Sequence, residues 1–201
     1  MTWQEGQVGG VPARVFRISF TGELSYEVNV QADYALGVWE KIIAAGKKHG
    51  LTPYGTETMH VLRAEKGFII VGQDTDGSVT PDDLNMGWCV GRTKPFSWIG
   101  WRGMNREDCV REERKQLVGL KPIDPLKVLP EGAQLVRDPK QAIPMDMVGH
   151  VTSSYASAAL KHSIAMALVK GGIKRIGERV FAPLVDGSVI EAEIVSSVFY
   201  D

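Results

Sequence analysis

The second half of the sequence, from Lys115 onward, alternates short apolar segments with turns rich in proline and glycine. Six segments have the length and the β-branched content of strands, at residues 117–120, 133–136, 147–151, 164–169, 179–181 and 189–195. Turn residues such as Pro122, Pro130 and Asp186-Gly187 separate them. Short strands at this spacing predict a small all-β domain over residues 116–201, either a barrel or a sandwich.

The first part of the chain mixes strands and helices. Alternating apolar and polar residues predict strands at 15–20 and 26–30, joined into a hairpin by the turn Thr21-Gly22-Glu23. Asp33 is a predicted N-cap for the helix that follows. The residues of this helix that we expect to face inward, because they recur at helical spacing, are Leu36, Trp39, Ile42 and Ile43.

A second helix is predicted from Thr56 to a C-terminal cap at Gly67, and residues 68–71 read as a short strand. The order strand, strand, helix, helix, strand is typical of an α+β domain, which we place at residues 1–103. Residues 104–115 are dense in charge and predict a solvated connecting helix between the two domains.

Composition excludes several classes of function. The chain has 23 Lys and Arg against 24 Asp and Glu, a formal net charge of −1, so it lacks the basic footprint of a nucleic-acid binder. It has neither a polybasic segment nor an apolar run of about 18 residues, which argues against a membrane partner. Two cysteines, Cys89 and Cys109, are too few for a disulfide framework. With no secretory leader in the sequence, we expect a cytoplasmic protein.

No nucleophile elbow, phosphate loop, dinucleotide fingerprint or zinc spacing is present, so neither a catalytic residue nor a metal ligand is predicted. Two polar residues nevertheless stand out. Glu27 lies inside a predicted strand, where it is either an ordinary outward-facing residue or a carboxylate that accepts two parallel N–H bonds from a ligand such as an aminopyrimidinone. Arg63 lies on the second helix, where it either binds a ligand carboxylate or pairs with Glu57 or Glu65.

Five segments, in this order, resemble motifs of the folate-binding aminomethyltransferase family, which includes the glycine-cleavage T-proteins. The first is RISFTGELSYE at residues 17–27, which is similar to the family pattern R-x-S-[YF]-x-G-E-x-G-[YFW]-E. The others are GLTPYG with LRAEKG at 50–67, GQD with TP at 72–81, FSWIG at 96–100, and GHVTSS with IAMALV at 149–169. Five motifs in order, across nearly the whole chain, identify the sequence as a member of this family.

The resemblance implies a fold and a ligand. The fold is the α+β folate-binding lobe of the aminomethyltransferases, containing a strand hairpin and helices, followed by a small C-terminal β-barrel. The ligand is tetrahydrofolate, with Glu27 receiving the N–H donors of the pteridine and Arg63 matching the helix arginine near the folate. Phe20 stands where many relatives have a tyrosine, so it can pack against the ligand but offers no hydroxyl.

Within the family, Phe20, Ser25 and the VGQD stretch from Val71 resemble the C-terminal portion of the alpha subunits of heterotetrameric sarcosine oxidases. This resemblance implies a fragment of a larger oxidoreductase that captures the one-carbon unit from sarcosine as 5,10-methylenetetrahydrofolate. It implies other subunits as partners, with FAD, FMN and NAD in other parts of the complex.

One family feature is missing, because the aspartate near the reacting folate nitrogens would lie upstream of this sequence. We therefore expect the isolated chain to be inactive. An aminomethyltransferase of the glycine cleavage system and a non-catalytic folate-binding or assembly module are the alternative interpretations.

Overall fold

A computed structural model describes residues 1–201, which divide into two compact units at residues 1–63 and 64–201. None of the helices reaches the length and apolarity that spanning a bilayer requires. These compact units divide the chain between residues 63 and 64. The domain boundaries predicted at residues 103 and 116 remain predictions.

The first unit contains a three-stranded antiparallel sheet in the order β1-β2-β3. Its strands are β1 (Thr2–Val8), β2 (Val11–Arg17) and β3 (Glu27–Asn29). The tight turn between β1 and β2 consists of Gly9 and Gly10, both with positive φ (59° and 79°), as a two-residue hairpin turn requires. The predicted pairing of the two strands around residues 15–30 is confirmed, whereas β1 was not predicted.

The predicted bounds of the hairpin strands were wrong at residues 18–20, which leave the sheet after Arg17. The chain turns there because the buried Thr21 side chain accepts a hydrogen bond from the Glu23 amide at 3.4 Å. Only three residues of β3 then pair with β2. Residues 18–26 therefore form a connecting loop, and Phe20 lies on that loop.

Helix α1 (Ala35–Gly46) follows a 3₁₀ turn at Ala32–Tyr34. The predicted cap was wrong, because Asp33 lies inside the 3₁₀ turn and the helix begins with no side-chain cap. The predicted inward face was wrong in part. Val38 is buried and Ile42 and Ile43 are half-buried, whereas Leu36 and Trp39 are 70% and 53% exposed. At 100° per residue, Leu36 is about 200° from Val38, so the buried stripe runs through Val38 instead.

Helix α2 (Thr56–Glu65) begins at the predicted residue and ends as predicted. Gly67 has φ 70° and its amide donates to the Ala64 carbonyl at 2.9 Å, which confirms it as the C-terminal cap. The strand predicted at 68–71 was wrong, because the Ile70 carbonyl accepts the amides of Gln73 and Asp74 in a turn.

The second unit contains a closed six-stranded antiparallel barrel in the order β4-β7-β6-β5-β8-β9. Its strands are β4 (Lys115–Pro122), β5 (Gln134–Val136), β6 (Met147–Ser157), β7 (His162–Lys170), β8 (Arg179–Pro183) and β9 (Val189–Val195). All six predicted strands are confirmed, and the closed order selects a barrel over a sandwich. The interior is aliphatic and includes Val118, Leu120, Leu129, Leu135, Val151, Val169, Val180 and Ile194.

The charged segment before the barrel differs from the predicted continuous helix over 104–115. Helix α3 (Trp101–Met104) ends where the segment begins, and within the segment only the four-residue helix α4 (Glu107–Val110) forms before the chain becomes extended at Arg111. In the extended part, Arg114 binds the buried Asp83 carboxylate through its Nε and a terminal nitrogen, with a shortest contact of 2.7 Å.

We predict that Gly67→Ala destabilises the chain by about 1–2 kcal/mol, because an L-residue with φ near 70° is strained. An added Cβ would also lie 2.5 Å from the Ser197 carbonyl oxygen. Urea unfolding followed by circular dichroism measures the loss. Gly77→Ala is the matched control, since its Cβ would meet nothing within 4 Å. Equal stability of the two variants would contradict the prediction.

Candidate functional site

Glu27 lies on one face of the three-stranded sheet, in a row with two aromatic residues. Phe16 pairs with Glu27 across β2 and β3, and Trp3 pairs with Phe16 across β1 and β2. Directly opposed residues project from the same face of a sheet, so the three side chains form one cross-strand row. The Trp3 and Phe16 rings lie 6.4 Å apart between centroids, and Glu27 is exposed.

The next row on this face is polar and consists of Glu5, Arg14 and Asn29. The Arg14 guanidinium stacks over the Trp3 ring at 5.2 Å and donates to Glu5 Oε1 at 3.1 Å. A cavity of about 470 Å³ opens here, and its lining includes Phe16, Arg14, Asn29 and Gln31. The face therefore combines a free carboxylate, two aromatic rings and an adjacent polar hollow.

Phe20, the second predicted ligand residue, lies on the loop between β2 and β3 and is 37% exposed. The loop is tied locally by Thr21 and Ser25, whose hydroxyls lie 3.5 Å apart. Arg17 stacks over the Tyr26 ring at 5.9 Å, which positions the start of β3. A direct contact between Phe20 and a ligand stays a prediction.

Arg63, the third predicted ligand residue, lies on α2 and its side chain is fully buried. Of the two carboxylates considered as its partners, Glu57 lies 3.9 Å from His60 Nδ1 and Glu65 accepts a 2.5 Å hydrogen bond from Ser157. A buried guanidinium offers less surface to a ligand than the exposed Glu27. Contact between Arg63 and a ligand stays a prediction.

Two of the motif segments meet in the second unit for a structural reason. The buried Asp74 carboxylate accepts the Ile70 amide at 2.9 Å, the Thr152 hydroxyl at 2.5 Å and the Ser153 hydroxyl at 2.6 Å. Buried carboxylates need such partners, so this cluster fixes the 70–74 turn against β6. Asp74 was not predicted to bind a ligand, and its contacts account for it as a structural residue.

A second polar cluster lies at the start of β4, where Lys115 Nζ and His150 Nδ1 lie 3.5 Å apart. The pKa of His150 is lowered, mainly by burial and secondly by the positive charge of Lys115. The negative charge of Asp76 raises this pKa but does not offset the other two effects. Hydrogen bonds from the Ser78 side chain and amide lower the pKa of Asp76 itself. The structure contains no group of three or more acidic, histidine or cysteine side chains placed to hold a metal ion.

Comparisons with known proteins give consistent results for the two parts of the chain. Residues 1–94 match the model of the GCVT N-terminal domain, and residues 115–201 match that of the glycine cleavage T-protein C-terminal barrel domain. The sarcosine oxidase subunit alpha of Corynebacterium sp. (strain P-1) is 50% identical over 96% of this chain. The aminomethyltransferase of Geobacillus kaustophilus is 33% identical over 96% of this chain.

The chain spans only part of these relatives: 20% of the Corynebacterium subunit and 51% of the Geobacillus enzyme. The solved structure of glycine cleavage system aminomethyltransferase T from Bartonella henselae superposes with a TM-score of 0.74 at 23% identity. That superposition covers 94% of this chain and 50% of the other. The aminomethyltransferase-like fold and the closed C-terminal barrel are thereby confirmed.

Proposed function

Since the chain belongs to the glycine-cleavage T-protein family, we propose that it is a tetrahydrofolate-binding portion of a longer enzyme and that Glu27 holds the pteridine. The observation that carries the proposal is the exposed Glu27 carboxylate in a row with Phe16 and Trp3. An ionised carboxylate only accepts hydrogen bonds, so it pairs with a ligand edge that presents adjacent N–H donors. The aminopyrimidinone edge of a pteridine presents them.

The residues of this chain bind and orient the ligand. Glu27 accepts the amino and ring N–H donors in a bidentate pair, which is stronger than a neutral hydrogen bond and fixes the ring edge. Phe20 packs against the ligand and, having no hydroxyl, moves no proton. Arg63 is assigned to the folate by the family motif alone.

The parent reaction we propose is the oxidative demethylation of sarcosine, with tetrahydrofolate accepting the one-carbon unit as 5,10-methylenetetrahydrofolate. The support is the 50% identity to a sarcosine oxidase alpha subunit. The oxidation itself takes place at a flavin elsewhere in the parent enzyme, so this chain alone has no oxidase activity. FAD, FMN and NAD belong to those other parts, and the partners of the chain are the other subunits.

A glycine-cleavage aminomethyltransferase is the second candidate, supported by the 33% identity to the Geobacillus enzyme over 96% of this chain. The two candidates share the folate site and differ in the donor of the one-carbon unit. An assay of the parent enzyme with sarcosine and with an aminomethyl-lipoyl protein separates them, because each candidate uses only one of these donors.

Calorimetric titration of the purified chain with tetrahydrofolate tests the proposed binding. We expect saturable binding at a single site. p-Aminobenzoylglutamate, which lacks the pteridine, is expected to bind at least tenfold more weakly. Absence of tetrahydrofolate binding by a chain shown to be folded, or equal binding of the two compounds, would contradict the proposal.

A further inference from the structure

We infer that Phe16 and Trp3 form the apolar wall on which the ring held by Glu27 packs, so that this sheet face selects a flat heteroaromatic ligand. The inference rests on the proposed role of Glu27 and extends it to two residues that no motif singles out. Both belong to strands of the same small sheet, β1 and β2.

The register places the two rings beside Glu27, so a ligand bound to the carboxylate can lie over them. Trp3, Phe16 and Glu27 are directly opposed on three adjacent strands. Neighbouring strands lie about 4.8 Å apart, so the row extends about 10 Å from the backbone of β3 to that of β1. A hydrogen bond of about 2.9 Å followed by the long axis of a substituted two-ring heterocycle covers most of this distance. With its donor edge at Glu27, its face lies over Phe16 and its far end reaches Trp3.

The exposure of the aromatic residues supports a ligand-facing role. Trp3 is 60% exposed although it neighbours Phe16, which leaves a large part of the indole uncovered. Arg14, stacked on the indole and paired with Glu5, restrains the ring orientation without covering Glu27. Aromatic rings in contact stabilise one another by offset or edge-to-face packing beyond the burial of their area.

The cavity beside the row has room for a substituent on the bound ring. Its lining includes Phe16 of the aromatic row together with Arg14 and Asn29 of the polar row. A substituent on the ring can therefore leave the apolar row and enter a hollow with hydrogen-bond donors. This arrangement fits a pterin with a polar extension and does not fit a purely aliphatic amine.

Fluorescence and binding measurements on the chain test the inference. We expect tetrahydrofolate to quench the emission of Trp3, obtained as the difference between the wild type and Trp3→Phe. We also expect Phe16→Leu and Trp3→Leu each to raise the Kd about 3- to 10-fold, the range expected for losing an aromatic contact. Tetrahydropterin, which lacks the p-aminobenzoylglutamate part, should show the same sensitivity to both substitutions.

The matched control is Trp39→Leu, an exposed tryptophan on α1 of the same unit, which should leave the Kd unchanged. Circular dichroism of each variant confirms that it is folded. If Glu27 is required for binding but Phe16 and Trp3 are not, the inference that these two residues form the apolar wall is wrong and the proposed function stands. In that case the row is a packing surface for another part of the protein. If wild type shows no binding of tetrahydrofolate, the proposed function fails and the wall fails with it.

Discussion

Replacing Asp83 by alanine is expected to lower the free energy of unfolding by about 3–5 kcal/mol, the range for removing one partner of a buried ion pair. The Asp83 and Arg114 side chains are only 4% and 10% exposed. Asp83 also accepts the Thr80 amide and hydroxyl at 2.8 Å each. The substitution leaves the guanidinium of Arg114 without its main partner inside the protein. Urea unfolding followed by circular dichroism measures the change.

The neighbouring residue provides a matched control. Asp82 also forms an ion pair, with Arg92, but these side chains are 47% and 51% exposed. Exposed pairs contribute about 0–1 kcal/mol, so Asp82→Ala should have a small effect. Similar losses in Asp82→Ala and Asp83→Ala would contradict the structural role assigned to the buried pair.

The contribution of Asp83 should also depend on pH. Burial by itself would raise the pKa of Asp83, but hydrogen bonds from Arg114 and Thr80 outweigh burial and hold the pKa below its ordinary value. A lowered native pKa stabilises the fold fully above the unfolded pKa, near about 4, and the stabilisation is lost as the pH falls through the native pKa. The stability difference between wild type and Asp83→Ala should therefore be constant above about pH 5 and shrink below about pH 4.

Replacing Glu27 by alanine is expected to weaken tetrahydrofolate binding by about 1.5–3 kcal/mol, or about 10- to 150-fold in Kd. The reason is that the ligand would lose a charged acceptor for its two parallel N–H donors. Because Glu27 is exposed, its removal should leave the stability of the chain nearly unchanged. Calorimetry with tetrahydrofolate gives the Kd, and thermal unfolding of the same samples gives the stability.

The control for Glu27 is Glu40→Ala, an exposed carboxylate on α1 that is absent from the sheet face. It carries the same charge change, so it removes any contribution of net charge to ligand binding. If the Kd of Glu27→Ala for tetrahydrofolate is within twofold of the Kd of Glu40→Ala, the carboxylate at residue 27 does not hold the ligand.

The barrel was predictable from the sequence because its strands are buried in a closed sheet. The strands supply the aliphatic residues that fill the barrel interior, such as Leu120, Val169 and Ile194. Clear turn residues separate one strand from the next. Barrel closure was not evident from the strand pattern, since a sandwich has the same pattern of short strands. The family resemblance resolved that point.

The first unit was harder to predict because much of its apolar surface is exposed in this chain. Leu36 and Trp39 have the spacing of a buried helical face and nevertheless lie on the surface. Strand β1 has only polar or exposed residues over most of its length, so it lacks the alternation that marks a half-buried strand. The Gly9-Gly10 pair is the sequence feature that indicates a strand before β2, since a two-glycine turn is typical of a tight hairpin.

The candidate site was predicted in part. The strand pattern placed Glu27 on a strand, and the family motif predicted that it binds tetrahydrofolate. Neither the pattern nor the motif indicated Phe16 or Trp3. The position of Phe16 beside Glu27 depends on the register of β2 and β3. That of Trp3 depends on the register of β1 and β2, which follows from the Gly9-Gly10 turn. Asp74 and Asp83 were also beyond sequence reasoning, because their partners lie far along the chain at Thr152, Ser153 and Arg114.

The most direct test of a pteridine site on the first unit is a two-dimensional NMR titration of the ¹⁵N-labelled chain with tetrahydrofolate. We predict that the largest amide shift changes occur in the three-stranded sheet, around Trp3, Phe16 and Glu27, and saturate with a single Kd. Changes confined to the barrel strands, residues 115–195, or no changes in a well-dispersed spectrum, would contradict this prediction.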